Sequence, residues 1–221
     1  MSASSDLLVW IDCEMTGLDL DVDELVEIAV VITDYDLNPV DAGIDIVIRP
    51  NPSALEHMGE FVRNMHRTSG LLEEIPNGVS LADAEYRVLE YVLSHIPDEA
   101  KAPLAGNTIG TDRMFIAKYL PRLDAHLHYR NVDVSSIKEL SRRWYPRAYF
   151  NAPTKHGGHR ALADILESIR ELRYYRKAVF VADPGHASSE LQTLAAQVAT
   201  EFDELVAALP SAPAIEVPEV R

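Results

Sequence analysis

The stretch Leu7-Leu8-Val9-Trp10-Ile11-Asp12-Cys13-Glu14 decides how the chain is read: five apolar residues in a row, then two acidic residues around a lone cysteine. A short apolar run with polar flanks has the pattern of a buried strand. Leu25 to Thr33 is a longer β-branched run and Ile44 to Ile48 a third, with Asp, Asn, Pro and Gly in the connections. Together they predict a three-stranded meander. Working outward, Leu81, Val88, Leu89, Val92, Leu93 and Ile96 form a helical stripe that stops before Pro97. Ala102 to Ala105 reads as a strand, and Thr111 as an N-cap for a helix from Asp112 to Leu120, closed by Pro121. Asn131 to Val134 reads as another strand, and Ser136-x-x-Glu139 is a capping-box pattern that opens a helix toward Trp144. After a loop bearing Pro146, Pro153, Gly157 and Gly158, the residues Leu162, Ile165, Leu166, Ile169 and Leu172 mark a long helix to about Lys177. Strands in a meander followed by alternating strands and helices predict an α/β domain with a mixed sheet flanked by helices.

The chain has 221 residues, 47% apolar and 25% charged, a composition that excludes a fibrous or wholly unfolded protein. Residues 1–182 are read as the principal domain and 183–221 as an appended helix with a flexible tail, because Leu191 to Leu209 is Ala-rich and Pro210, Pro213 and Pro218 follow. A formal charge of −15 opposes a broad, sequence-independent grip on DNA, RNA or anionic lipid. Any nucleic acid handled is expected to be short or held through metal ions, with no long duplex as partner. Cys13 stands alone, so neither an intrachain disulfide nor a cysteine zinc cluster is available. With no basic, apolar leader and no run of about 18 apolar residues, the expectation is a soluble, cytoplasmic protein with no membrane partner.

Asp12 and Glu14 are two apart on a strand, so their carboxylates project from one face. Paired carboxylates at a strand end suit a hard divalent cation, although a solvated strand end has the same pattern. Asp112 opens a helix where an α/β sheet presents its ligand groups, and helix starts also favour Asp for capping alone. Asp164 lies early in the long helix beside an apolar stripe. His159 precedes it by five residues, some 140° around a helix, so the two do not share a helix face. The neighbouring Gly157-Gly158 pair instead predicts that His159 sits on the entering loop, free to reach back toward Asp164.

Other motifs fail. Asp19-x-Asp21-x-Asp23 has the start of a calcium loop, but Glu24 occupies the position that needs Gly and Val30 the one that needs Glu, leaving a solvated acidic turn. Gly106 to Gly110 lacks the Gly-Lys-Ser/Thr of a phosphate loop, and His156-x-x-His159 lacks the Glu of a zinc motif. There is no G-x-S-x-G elbow.

Taken together, Asp12, Glu14, Asp112, His159 and Asp164 resemble in order and spacing the Asp-Glu-Asp-Asp exonucleases with a His five residues before the last Asp. More narrowly, the chain is similar to the oligoribonuclease family through Trp10 to Leu18, Val26 to Ala29, Gly106 to Arg113, His128 to Arg130, Asp133 to Ser135 and Lys138 to Leu140. The similarity spans about residues 6 to 180. It implies a ribonuclease-H-like sheet, a homodimer, and 3′-to-5′ hydrolysis of very short RNA, especially dinucleotides, to nucleoside 5′-monophosphates. It further implies two divalent ions per active site, Mg²⁺ or Mn²⁺, held by the four carboxylates, with His159 as general base. By the same resemblance Leu18 wedges between two bases and His66 lies near a base. Thr108, Arg130 and Ser135 cap the 5′ phosphate, the last two coming with Tyr129 from the partner subunit. Cys13 stands where an aliphatic residue is frequent and Thr108 where Ser is frequent. Two other readings are an exonuclease of the same superfamily acting on longer RNA or DNA 3′ ends, and an inactive dinucleotide-binding or acidic interaction protein. The complete set of acidic residues and His159 argues against the last.

Overall fold

The computed structural model describes residues 6–97, 100–154 and 158–210. Three antiparallel strands, β1 (Leu7–Met15), β2 (Leu25–Asp34) and β3 (Ile44–Val47), form the meander. β4 (Pro103–Gly106) and β5 (His128–Asp133) add to it in parallel, giving a five-stranded mixed sheet in the order β3-β2-β1-β4-β5. β1 runs past the apolar stretch and carries the acidic residues as well. β2 holds it in register that far, from Leu7 opposite Asp34 to Glu14 opposite Glu27, before a bulge at Glu14/Met15.

Between β3 and β4 lie α1 (Pro52–His57), α2 (Glu60–Thr68), α3 (Leu71–Glu74), a 3₁₀ turn and α4 (Leu81–His95). The sequence reading had no helices before α4. α2 buries His66 and leaves Phe61 largely exposed, so no apolar stripe announces it. Pro52 at the start of α1 was the available signal, since Pro is suited to a first helical turn. Next come α5 (Ile109–Tyr119), α6 (Pro121–His126), α7 (Val134–Trp144), α8 (Pro146–Phe150) and α9 (Ala161–Ala178).

Alternation along β1 sets the two layers. Val9, Ile11, Cys13 and Met15 face a core with Val88 and Val92 of α4 and Phe115 and Ile116 of α5. Leu8 and Trp10 face the other way, with Ala29 and Val31 of β2, beneath Ala161, Ile165, Ile169 and Leu172 of α9. Trp10 keeps its indole N–H satisfied at Thr33 Oγ1 (2.9 Å), so a fully buried ring leaves no orphaned donor.

Two helix starts differ from the expectation. α5 begins at Ile109 with Thr108 as its N-cap at φ 53°, which places both Thr111 and Asp112 inside the first turn. α7 begins at Val134, capped by Asp133, whose carboxylate accepts from Ser135 N–H (2.9 Å). Asp is among the better caps, and starting at Asp133 runs the helix directly out of β5. The acidic turn also departs from a merely solvated one: Asp23 is buried, accepting from Thr16 Oγ1 (2.8 Å) and Asp19 N–H (2.9 Å).

The chain divides into two units, Met1–Phe180 and Val181–Arg221. The second contains α10 (Ser188–Ala207), with Leu191, Leu194, Val198, Phe202 and Leu205 exposed. The tail expected beyond it, from residue 211 on, lies outside the described residues, as do His156 and Gly157. Among the described residues no helix is long and apolar enough to cross a membrane.

Candidate active site

Asp12 and Glu14 continue the face of β1 that carries Leu8 and Trp10, so the side that is apolar under α9 turns acidic at the strand's C-terminal end. The start of α9 lies at this same end. Glu14 is 8% exposed and Asp112, from α5, 7%. Asp112 is drawn inward because its Oδ1 accepts the Cys13 backbone N–H (3.0 Å). Asp164 stands in the first turn of α9. His159 precedes that helix and is exposed, on the entering loop as its spacing indicated, at a left-handed φ of 46°. Donor atoms of Glu14, His159 and Asp164 all lie within 4.8 Å of one another.

Acidic groups this close and this dry resist ionisation. Burial, then Asp112, Glu14 and Asp164 in turn, holds Asp12 well above the usual carboxylate range. Burial first, then Asp164 and Glu27, pushes Glu14 up to about 8, with Arg160 opposing. Burial raises Asp112 to about 7, tempered by hydrogen bonds from backbone N–H groups, that of Cys13 first. A set of oxygen donors whose mutual repulsion a multivalent cation would relieve fits a hard divalent metal ion. The donor chemistry is thus that of carboxylate oxygens and offers no thiolate; the Cys13 thiol points into the opposite core.

A further carboxylate belongs to this neighbourhood. Glu27, opposite Glu14 on β2, is fully buried. Its Oε1 accepts from Arg160 Nε (2.8 Å) and its Oε2 from the Ala161 backbone N–H (2.9 Å) at the start of α9. Arg160 also donates from Nη1 and Nη2 to Glu74 Oε1 and Oε2 (2.9 and 3.0 Å). The sequence reading assigned no role to Glu27 or Arg160. A Glu in the middle of an otherwise buried β-run was the available signal, because a buried charge requires a partner.

The remaining residues singled out from sequence fall in three places. Leu18 is 74% exposed at the tip of a braced loop: Thr16 and Asp19 are tied to Asp23, whose carbonyl accepts from Tyr119 Oη (2.6 Å), while Lys118 Nζ donates to the Leu20 carbonyl. At the root of that loop, His66 is wholly buried. Its Nε2 donates to the Met15 carbonyl (2.8 Å) and its Nδ1 lies 3.9 Å from Glu14 Oε2, while burial lowers its pKa.

Thr108 and Ser135 come together within one chain. Thr108 N–H donates to Ser135 Oγ (2.9 Å) and Asp133 Oδ1 (3.1 Å), and the two hydroxyls are 3.1 Å apart. This contact lies within one chain and arises because β4 and β5 are parallel neighbours whose C-terminal ends adjoin. Asn107 accepts from Ser135 Oγ (3.0 Å) and donates to Ser168 of α9 (2.7 Å), joining this corner to the helix that carries Asp164. Thr108 and Ser135 border a cleft of about 670 Å³ that Lys138 and Tyr149 also line.

Tyr129 and Arg130 lie elsewhere, exposed on the edge strand β5. There the His128 and Tyr129 rings stack at 4.5 Å, with the Arg130 guanidinium 5.4 Å from the Tyr129 ring centre. Arg113, the neighbour of Asp112, fixes β5 through the His128 carbonyl (2.8 Å) and Asn131 Oδ1 (2.7 Å).

Comparison with known proteins places this geometry among relatives. The RNase_T family model, described as exonuclease, matches residues 9–172. A protein from Leifsonia xyli named oligoribonuclease is 71% identical, covering 91% of this chain and 98% of its own length. Another of that name from Streptomyces avermitilis is 60% identical over 87% of this chain and 96% of its own. Among solved structures, an exonuclease I from Methylocaldum szegediense superposes with a TM-score of 0.57 at 19% identity, covering 79% of this chain. The present chain spans 41% of that larger one, and the likeness establishes the shared exonuclease fold.

Proposed function

The chain belongs to the oligoribonuclease family of RNase_T exonucleases, and from that premise we propose that it hydrolyses very short RNA, dinucleotides above all, from the 3′ end to nucleoside 5′-monophosphates. The observation that supports this most is the convergence of Asp12, Glu14, Asp112 and Asp164 with His159 at the C-terminal end of β1. The four carboxylates would hold two divalent ions, Mg²⁺ or Mn²⁺. Such ions, when bound, stabilise charge on the attacking and leaving oxygens of a phosphodiester. His159, exposed yet adjacent to Glu14 and Asp164, takes the proton from the attacking water as general base.

Substrate length follows from what surrounds the carboxylates. Leu18, projecting from a braced loop, wedges between two bases, and His66 supports the base end of the site from behind Met15. Thr108 and Ser135 offer paired hydroxyls to a 5′ phosphate, closing the site at that end. Tyr129 and Arg130 complete the cap of a neighbouring subunit, so the working unit is a homodimer; their exposure on an edge strand supports this. A net charge of −15 leaves little basic surface along which to track a longer strand. A reducing, cytoplasmic setting accords with the buried, unpaired Cys13.

The test is a length series of 5′-labelled ribo-oligonucleotides, from two to seven residues, with and without Mn²⁺. The expected outcome is metal-dependent release of 5′-monophosphates with kcat/KM highest for the dinucleotide. A rate that rises with length would point to a strand-tracking exonuclease instead.

A further inference from the structure

We propose that Arg160 is a positioning residue for His159: by clamping buried Glu27 and surface Glu74 at once, it locks the loop that presents the general base. The inference rests on the reading of His159 as that base and deepens it.

His159 adopts φ 46°, in the left-handed region that a residue with a Cβ enters only against steric crowding of the Cβ by the backbone. Such a conformation persists where the surroundings over-determine it. Among the described residues, a Cβ added to the preceding Gly158 would meet only the Ala163 side chain, at 4.0 Å. Restraint comes from the following residue. Arg160 makes three charge-assisted hydrogen bonds, one to Glu27 and a bidentate pair to Glu74, all between 2.8 and 3.0 Å. The second oxygen of Glu27 holds the Ala161 N–H (2.9 Å), pinning the first residue of α9.

The two anchors belong to different parts of the fold. Glu27 is on β2, opposite Glu14, and Glu74 closes α3, far from either in sequence. Only a planar fork with donors on several edges can satisfy both carboxylates; an ammonium cannot match that geometry. The clamp therefore fixes His159 relative to β2, the strand paired with the one that carries Glu14, and relative to the start of the helix that carries Asp164. It need not touch substrate to matter, because a misplacement of about 1 Å at a reacting group can cost about 10²-fold in rate.

The experiment is a double-mutant cycle on kcat with the dinucleotide at saturating Mn²⁺, using Glu74→Gln, Arg160→Lys, Arg160→Gln and each combined with His159→Ala. Glu74 is 48% exposed, so its substitution spares the core even if an Arg160 variant folds poorly. Expected are a loss in kcat of about tenfold for Glu74→Gln and up to about 10²-fold for Arg160→Gln, an intermediate loss for Arg160→Lys, unchanged KM, and the same Mn²⁺-induced rise in melting temperature as the parent. In the His159→Ala background Glu74→Gln should have no further effect, because nothing remains to be positioned. If Glu74→Gln runs at the parent rate, or costs as much with His159 absent as present, the clamp is structural and the proposal fails. Should His159→Ala itself run at the parent rate, the general-base reading is what fails.

Discussion

A single side chain shows how burial and function oppose each other at this site. Glu14 has its pKa lifted from an ordinary 4.5 to about 8, by burial first and then by neighbouring carboxylates. The unfolded chain releases this proton near pH 4.5, whereas the metal-free folded protein keeps it until near pH 8. Over that window the unfolded state binds fewer protons, so stability is complete below the lower value, declines as pH rises, and levels off above the upper one. At 1.36 kcal/mol per pKa unit the decline amounts to the order of a few kcal/mol. Glu14→Gln cannot ionise. Its metal-free melting temperature is expected to fall less than that of the parent between pH 4.5 and 8.5, and the Mn²⁺-induced rise at pH 8 should shrink. Parallel melting curves for the two proteins across the series would show that Glu14 is not held protonated.

At the scale of elements, the corner where β5 becomes α7 does two tasks with one carboxylate. Asp133 Oδ1 accepts from Ser135 N–H as the cap of α7 and from Thr108 N–H across the loop that follows β4 (2.9 and 3.1 Å). The first bond stabilises a helix and the second aligns two hydroxyls. Asp133→Ala should therefore cost about 0.5–2 kcal/mol as a lost cap, read as a fall in melting temperature of about 2–4 °C per kcal/mol for a protein of this size. It should also narrow the preference for a 5′-phosphorylated dinucleotide over its 5′-hydroxyl counterpart. A stability loss with that preference intact would separate the cap from the proposed phosphate site. The same corner shows why the sequence misplaced α7: Ser136 and Glu139 have capping-box spacing, yet the helix starts three residues earlier, where the strand delivers Asp133 to both partners. Local pattern was overruled by a tertiary hydrogen bond.

For the whole molecule, the proposed homodimer turns the exposed edge of β5 into part of a second copy's site. Mixing Asp112→Ala with Arg130→Ala subunits should then restore activity. Each mixed dimer has one site with both defects and one with neither, or about a quarter of all sites intact at random pairing. Mixed dimers that form without recovery would place Arg130 in its own subunit's site or outside any site. The ionic character of the molecule was legible in composition alone, and most of the sheet in the local order of residues. The apolar run of β1 and the β-branched run of β2 point to strands whatever else surrounds them, and Asp12 and Glu14 share a face because side chains on a strand alternate. His159 was legible as loop-borne for a similarly local reason: five residues do not bring it onto the face of Asp164. What tertiary structure decided lies between elements distant in sequence. Residues 52–77 carry no periodic stripe, and only the completed fold sets Glu74 where Arg160 reaches it and buries His66 against Met15. Glu27 sits within an apolar run and shows no purpose until Arg160, 133 residues later, closes on it. Local periodicity fixes which way a side chain points, because it depends on backbone geometry alone; which partner a buried charge finds depends on packing that no window of sequence contains.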